Sequence, residues 1–235
     1  MRKKLGFDRF DPWIAIRNDS TVARDRELRR VLPALQKQID RDFAPAWGLH
    51  ARLVLGDGPK RAMRVILKDV SDEEGDLGYH FVDGYPVTYV FVKDDVETLG
   101  EYTSTLSHEL LEMIADPGVN LYALGFVRGK GRKRTKAWIS YEVCDAVQDE
   151  TYAIDGVRVS DFVLPEWFEP EHADGDMKMD HRGVLRGPFQ LAPGGYADAM
   201  VAGHWRSVYG RKARRKKVRH RKLVRTGRIE GTRSA

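Results

Sequence analysis

Cysteine is nearly absent: Cys144 stands alone in 235 residues. One thiol excludes an intrachain disulfide framework and any Cys-rich zinc site, and a reducing compartment is the expectation. No apolar run approaches the roughly 20 residues that a bilayer-spanning helix needs. Met1-Arg2-Lys3-Lys4 has the positive charge of a signal peptide, but Asp8, Arg9 and Asp11 follow where an apolar stretch would stand. Internal repeats are lacking, as are helix-turn-helix and zinc-finger signatures. The expectation is a soluble, cytoplasmic protein with no membrane contact. What remains suffices for a core: 42% hydrophobic and 10% aromatic residues exclude a wholly disordered chain.

Charge is unevenly placed. Thirteen of the 40 Lys and Arg residues lie between His204 and Ala235, against one acid, Glu230. That segment carries about +12 and the rest of the chain about −7, since the whole is +5. The division is an N-terminal extension over 1–17, a body over 18–205 and a basic tail over 206–235. The tail has little to bury, and its like charges repel. Arg211, Lys212, Arg214, Arg215, Lys216, Lys217, Arg219, Arg221 and Lys222 are the candidate contacts to nucleic acid or another polyanion, through phosphate charge. A purely solubilising tail is the plainer alternative. No aromatic stands between Arg211 and Ala235, so the tail does not suggest base stacking.

Within the body, Thr21 to Phe43 predicts a long helix, with Val31, Leu35 and Ile39 four residues apart and Pro45 and Gly48 closing it. Strands are predicted over 51–55, 62–70, 78–83 and 86–92, the third a polar edge strand and the fourth an inner one. Thr103–Ala115 is the strongest helix, capped by Thr103 or Ser104 and stopped by Asp116-Pro117-Gly118. Gly125 to Ala137, with six basic residues, reads as a loop, and Trp138 to Val147 as a strand or short helix. Asp155-Gly156 predicts a hairpin over 151–160. Beyond Pro165 there is little periodicity.

The helix at 103–115 carries His108-Glu109-Leu110-Leu111-Glu112. At 100° per residue, His108 and Glu112 lie about 40° apart and can reach one ion above the same face. Glu109 stands on the adjoining edge, near a water on that ion. Three ionisable groups on an otherwise apolar helix are costly unless something pairs them. Zinc accepts imidazole nitrogen and carboxylate oxygen, and a metal-bound water with a nearby carboxylate base is hydrolytic chemistry. His108 and Glu112 are the candidate ligands and Glu109 the candidate general base. A solvated His/Glu helix face is the alternative.

Helix, strands, edge strand before inner strand, then this helix: the order resembles the zincin metallopeptidase fold. The resemblance implies an α+β domain whose mixed sheet packs on both helices, a zinc-dependent peptidase, and a peptide or protein substrate along the edge strand. This chain departs from the zincin His-Glu-x-x-His at Glu112. It is also similar to uncharacterised bacterial and phage-type proteins over Ser107–Pro117, Glu142-Val143-Cys144-Asp145 and Val159-Ser160-Asp161-Phe162. The third ligand must come from downstream: Asp145 first, Glu142 second, with an orienting role for either acid as the alternative. Cys144 between them reads as a small buried hydrophobe before a ligand.

His80 on the edge strand can face the cleft, though a structural role is the simpler assignment. His172 and His181, with Asp174, Asp176 and Asp180, match no ligand template. Trp138, Trp167, Phe168 and Trp205 read as core or cleft wall. Two functions remain open: a zinc-dependent hydrolase, or a degenerate zincin-like structural or interaction protein, for example phage-particle associated, whose tail binds nucleic acid.

Overall fold

Ile14, Ala15 and Ile16 are consecutive and all buried, as in a strand covered on both faces. They belong to β1 (Trp13–Asn18), an inner strand lying partly inside the stretch the sequence assigns to an extension. This computed structural model describes residues 12–72, 76–128, 134–171 and 177–210. The tail residues from Arg211 to Lys222 therefore lie outside the described residues.

β1 leads into α1 (Asp25–Lys37), which buries Leu28, Val31, Ala34 and Leu35 along one stripe. The helix starts four residues later than predicted because Ser20 Oγ accepts the Val22 and Ala23 N–H groups in a turn. It does not close at Phe43. A π-helical turn over Gln38–Phe43 runs into α2 (Ala44–Trp47), whose first turn tolerates Pro45. Gly48, at φ 67°, ends it in the left-handed conformation that glycine adopts freely.

The first sheet adds β2 (Arg52–Leu55), β3 (Met63–Lys68), β4 (Gly78–Val82) and β5 (Pro86–Phe91), in the order β2-β1-β3-β5-β4. All neighbours are parallel except β4, which runs antiparallel to β5 at the edge. β5 turns directly into α3 (Val92–Leu99), a helix the sequence reading omits, with Asp94 and Asp95 in its first turn.

α4 (Thr103–Ala115) has the predicted bounds. Its cap differs: the Glu101 carboxylate accepts the N–H groups of Thr103 and Ser104 and the Thr103 hydroxyl. A negative charge there satisfies orphan donors and meets the positive end of the helix dipole. Every residue from Ser104 to Ala115 is buried, because α4 lies between the first sheet and a hairpin. That hairpin is β8 (Thr151–Ile154) with β9 (Val157–Ser160), its turn made by left-handed Asp155 and Gly156. The sequence places it in the lower, C-terminal part; in the structure β9 packs against α4.

Within Gly125–Ala137, the described residues 125–128 and 134–137 form strands rather than a loop. β6 (Tyr122–Arg128) and β7 (Arg134–Ser140) pair antiparallel, and the basic residues that suggested a loop include Arg134 and Lys136 on exposed strand positions. β10 (Tyr196–Val201) and β11 (His204–Tyr209) complete a second sheet, β11-β10-β7-β6, where the sequence shows little periodicity. Trp167 and Phe168 are buried as expected, but Trp138 and Trp205 are 46% and 42% exposed. The whole is α+β. No helix among the described residues is long and apolar enough to cross a membrane.

Asp180 and His181 serve packing. Asp180 accepts the Val184 and Leu185 N–H groups, and His181 stacks on Phe162. His172, Asp174 and Asp176 lie outside the described residues. Asp161, fully buried, accepts the Phe162 and Arg182 N–H groups and lies beside Asp180. Burial, then Asp180, pushes the Asp161 pKa up to about 8. A raised folded-state pKa means stability present below the unfolded value near 4 and lost as the pH rises through about 8. Asp161→Asn keeps the accepted bonds and cannot ionise. Its melting temperature should fall less than the wild type's between pH 6 and 9. Parallel curves would mean that Asp161 does not titrate in this range.

Candidate metal centre

Three stretches bring the donors together. α4 supplies His108, Glu109 and Glu112; β4 supplies His80; the segment after β7 supplies Glu142, Cys144 and Asp145. That last segment is pinned on several sides. The Val163 N–H donates to Val143 O, the Ala192 N–H to Ala146 O, and the Cys144 N–H to Glu112 Oε1 at 3.1 Å. Val143 and Val147 are buried, which turns Glu142 and Asp145 inward.

α4 is held in register by its own polar side chains. Ser107 Oγ donates to Gln38 Oε1 and accepts the Ser160 N–H, while Gln38 Nε2 donates to Ser160 O. Gln38 lies in the π-helical turn, so that irregularity places an amide where three elements meet. Thr105 donates to buried Asp95 at 2.6 Å. On the other side Gly78 opens β4, and a Cβ there would stand 2.9 Å from Glu109 Oε1. Only glycine lets the edge strand lie this close to the helix.

His108 Nε2 lies 2.9 Å from Glu112 Oε1 and 3.2 Å from Asp145 Oδ1. His80 Nδ1 lies 3.4 Å from Glu109 Oε2 and 3.8 Å from Glu112 Oε2, and its Nε2 lies 3.4 Å from Glu142 Oε2. Glu112 thus turns one oxygen toward each imidazole. Asp145 sits against His108; Glu142 sits against His80 instead. Cys144, expected to be only a small buried hydrophobe, offers a sulfur within 4.8 Å of ligand atoms of His108 and Glu112, and a second such group is His80, Glu109 and Glu112. These buried groups can hold a metal ion.

None of the six His and acid side chains is more than 7% exposed. Four carboxylates share one dry volume with two imidazoles, so their ionisation is coupled. Burial pushes Glu142 and Asp145 up to about 8, with Glu112 adding repulsion in each case. For His80, burial acts downward, but Glu142, Glu109 and Glu112 outweigh it and hold the imidazole protonated, near 10. Negative charge in excess of the imidazoles is what a divalent cation would neutralise.

The sequence reading gave His80 a structural role, yet it joins Glu109 to Glu142. A lone strand histidine has no spacing partner; only its position on the edge strand beside the motif helix was available as a signal. No family model, curated protein or solved structure matches this chain.

Proposed function

We propose that the chain is a zinc-dependent hydrolase, most directly a peptidase, on a zincin-like body. The observation that carries this reading is the buried convergence of Glu112 and Asp145 on His108 Nε2, at 2.9 and 3.2 Å. The donors fit the ion: one nitrogen and two carboxylate oxygens are zinc ligands, with Cys144 and Glu142 beside them. When bound, such an ion polarises a carbonyl and brings the pKa of a water toward about 7.

The chain's own residues do the rest. Glu109 follows His108 on α4 and is the acceptor for the proton of the attacking water. The water oxygen bonds to the scissile carbon, the C–N bond breaks, and Glu109 returns the proton to the departing amine. His80 holds the Glu109 carboxylate from the strand side, 3.4 Å away. β4 is the edge of its sheet, with no described strand on its outer side, so an extended peptide can pair with it. Two carboxylate ligands also make the site less selective for zinc over harder ions than two histidines would.

Metal analysis of purified protein tests this reading. About one equivalent of zinc should co-purify with the wild type and be lost in His108→Ala, and added zinc should raise the melting temperature of the wild type alone. Absence of stoichiometric metal together with no thermal shift would sink the hydrolase. One observation favours a second reading. His80 lies 3.4 Å from both Glu109 and Glu142, an ion-paired arrangement that partly neutralises itself. On that reading the site is a degenerate scaffold, and the protein is a structural or interaction component whose tail meets nucleic acid.

A further inference from the structure

One face of the second sheet exposes three large apolar side chains. Leu124, Trp138, Met200 and Trp205 are directly opposed across β6, β7, β10 and β11, forming an apolar row over all four strands. Gly125, Ala137, Ile139 and Ala199, which flank Leu124, Trp138 and Met200 in sequence, are buried, so those three point away from the core, while β11 is exposed along most of its length. Leu124, Trp138 and Trp205 are exposed, and the Tyr122 and Trp205 rings lie 5.4 Å apart. Alternation puts Phe126, Arg134 and Lys136 on the same face, with the Arg134 guanidinium 5.0 Å from the Phe126 ring. One acid, Asp198, shares the face and accepts a hydrogen bond from Ser207.

Single exposed aromatics need no explanation, but a contiguous row of them does. Trp138 and Trp205 are two strands apart, or about 10 Å at the usual strand spacing. The charge beside them is positive, and β11 ends at Tyr209, two residues before the basic segment that opens with Arg211. A protein partner would explain the apolar row but not the cations; a duplex would offer its backbone to the rings and hide its bases.

We propose that this face is a platform for single-stranded nucleic acid, with bases stacked on Trp138, Trp205 and Tyr122 and phosphates met by Arg134 and Lys136. The sheet supplies the π-faces that single-strand binding uses. Stacking is indifferent to sugar type, so DNA and RNA strands are the two arms of the test.

The experiment is a fluorescence titration of the full chain with 12-nucleotide single strands of DNA and of RNA, the corresponding duplex, and heparin, at 50 and 200 mM salt. Either single strand should quench tryptophan emission. At 200 mM salt it should bind at least tenfold more tightly than duplex or heparin. Trp138→Ala and Trp205→Ala should each weaken single-strand binding about 5- to 150-fold and leave heparin binding unchanged. Trp138→Phe should restore most of the loss. Both positions are solvent-facing, and circular dichroism checks that the variants fold. Equal affinity for heparin and single strands, or alanine variants that bind like wild type, would overturn the platform. So would a wild-type dimer that both alanine variants convert to monomer, which would make the face an interface between copies.

Discussion

Glu109→Gln should lose between two and four orders of magnitude in kcat against any peptide the wild type cleaves, with its metal content unchanged. The range is that of a positioned general base removed from a reaction that keeps its other parts. Glutamine preserves shape and still meets His80, whose Nδ1 lies 3.4 Å from Glu109 Oε2. It cannot take a proton from water. KM should move little, because the β4 edge that pairs with the substrate is untouched. Unchanged turnover would make Glu109 a structural carboxylate. Lost turnover with lost metal would make it a ligand, consistent with its grouping with His80 and Glu112.

His108→Ala should be the most destabilising single change at the site, even without metal. The imidazole lies within 3.2 Å of both Glu112 and Asp145, and all three are buried. Removing one partner of a buried charged network costs about 3–5 kcal/mol, because the others stay desolvated and repel. For a chain of this size that is a fall of roughly 6–20 °C in melting temperature. Adding Glu112→Gln to His108→Ala should recover part of the loss, since one of the repelling charges disappears. The comparison is differential scanning calorimetry of wild type, both single variants and the double variant in the presence of a chelator. Strictly additive losses would show that the histidine and the acids do not sense each other.

Signals confined to a few neighbouring residues were readable in the sequence. α4 announces itself by Leu106, Leu110, Met113 and Ile114 at helical spacing and by the Asp116-Pro117-Gly118 stop; the β8–β9 hairpin announces itself by Asp155-Gly156, both left-handed. His108, Glu109 and Glu112 share one helix, so a wheel places them. β6 and β7 were missed because their outer positions carry Arg134 and Lys136, which mask the alternation. β10 and β11 were missed because their turn is Ala202-Gly203, left-handed at both residues but without the usual Asn or Asp. β1 was missed because burial on both faces removes alternation altogether. The His80 contacts, and the division of Asp145 to one imidazole and Glu142 to the other, arise only when separate stretches meet in space. No local pattern encodes that meeting.

The donors come from positions 80, 108–112 and 142–145, so the centre does not exist until β4, α4 and the segment after β7 have docked. Each closure has an entropic cost that grows with the chain between them, and long-range docking is the slow part of folding. Before docking, the four carboxylates are solvated and indifferent to one another. The last docking event confines them together, so the centre opposes the step that creates it. A cation that binds only the docked arrangement reverses that opposition and acts on the rate of unfolding, not on how fast the chain first collapses. On the proposed metal-binding reading, the buried donor set would therefore also set how long the native state lasts, through metal supply.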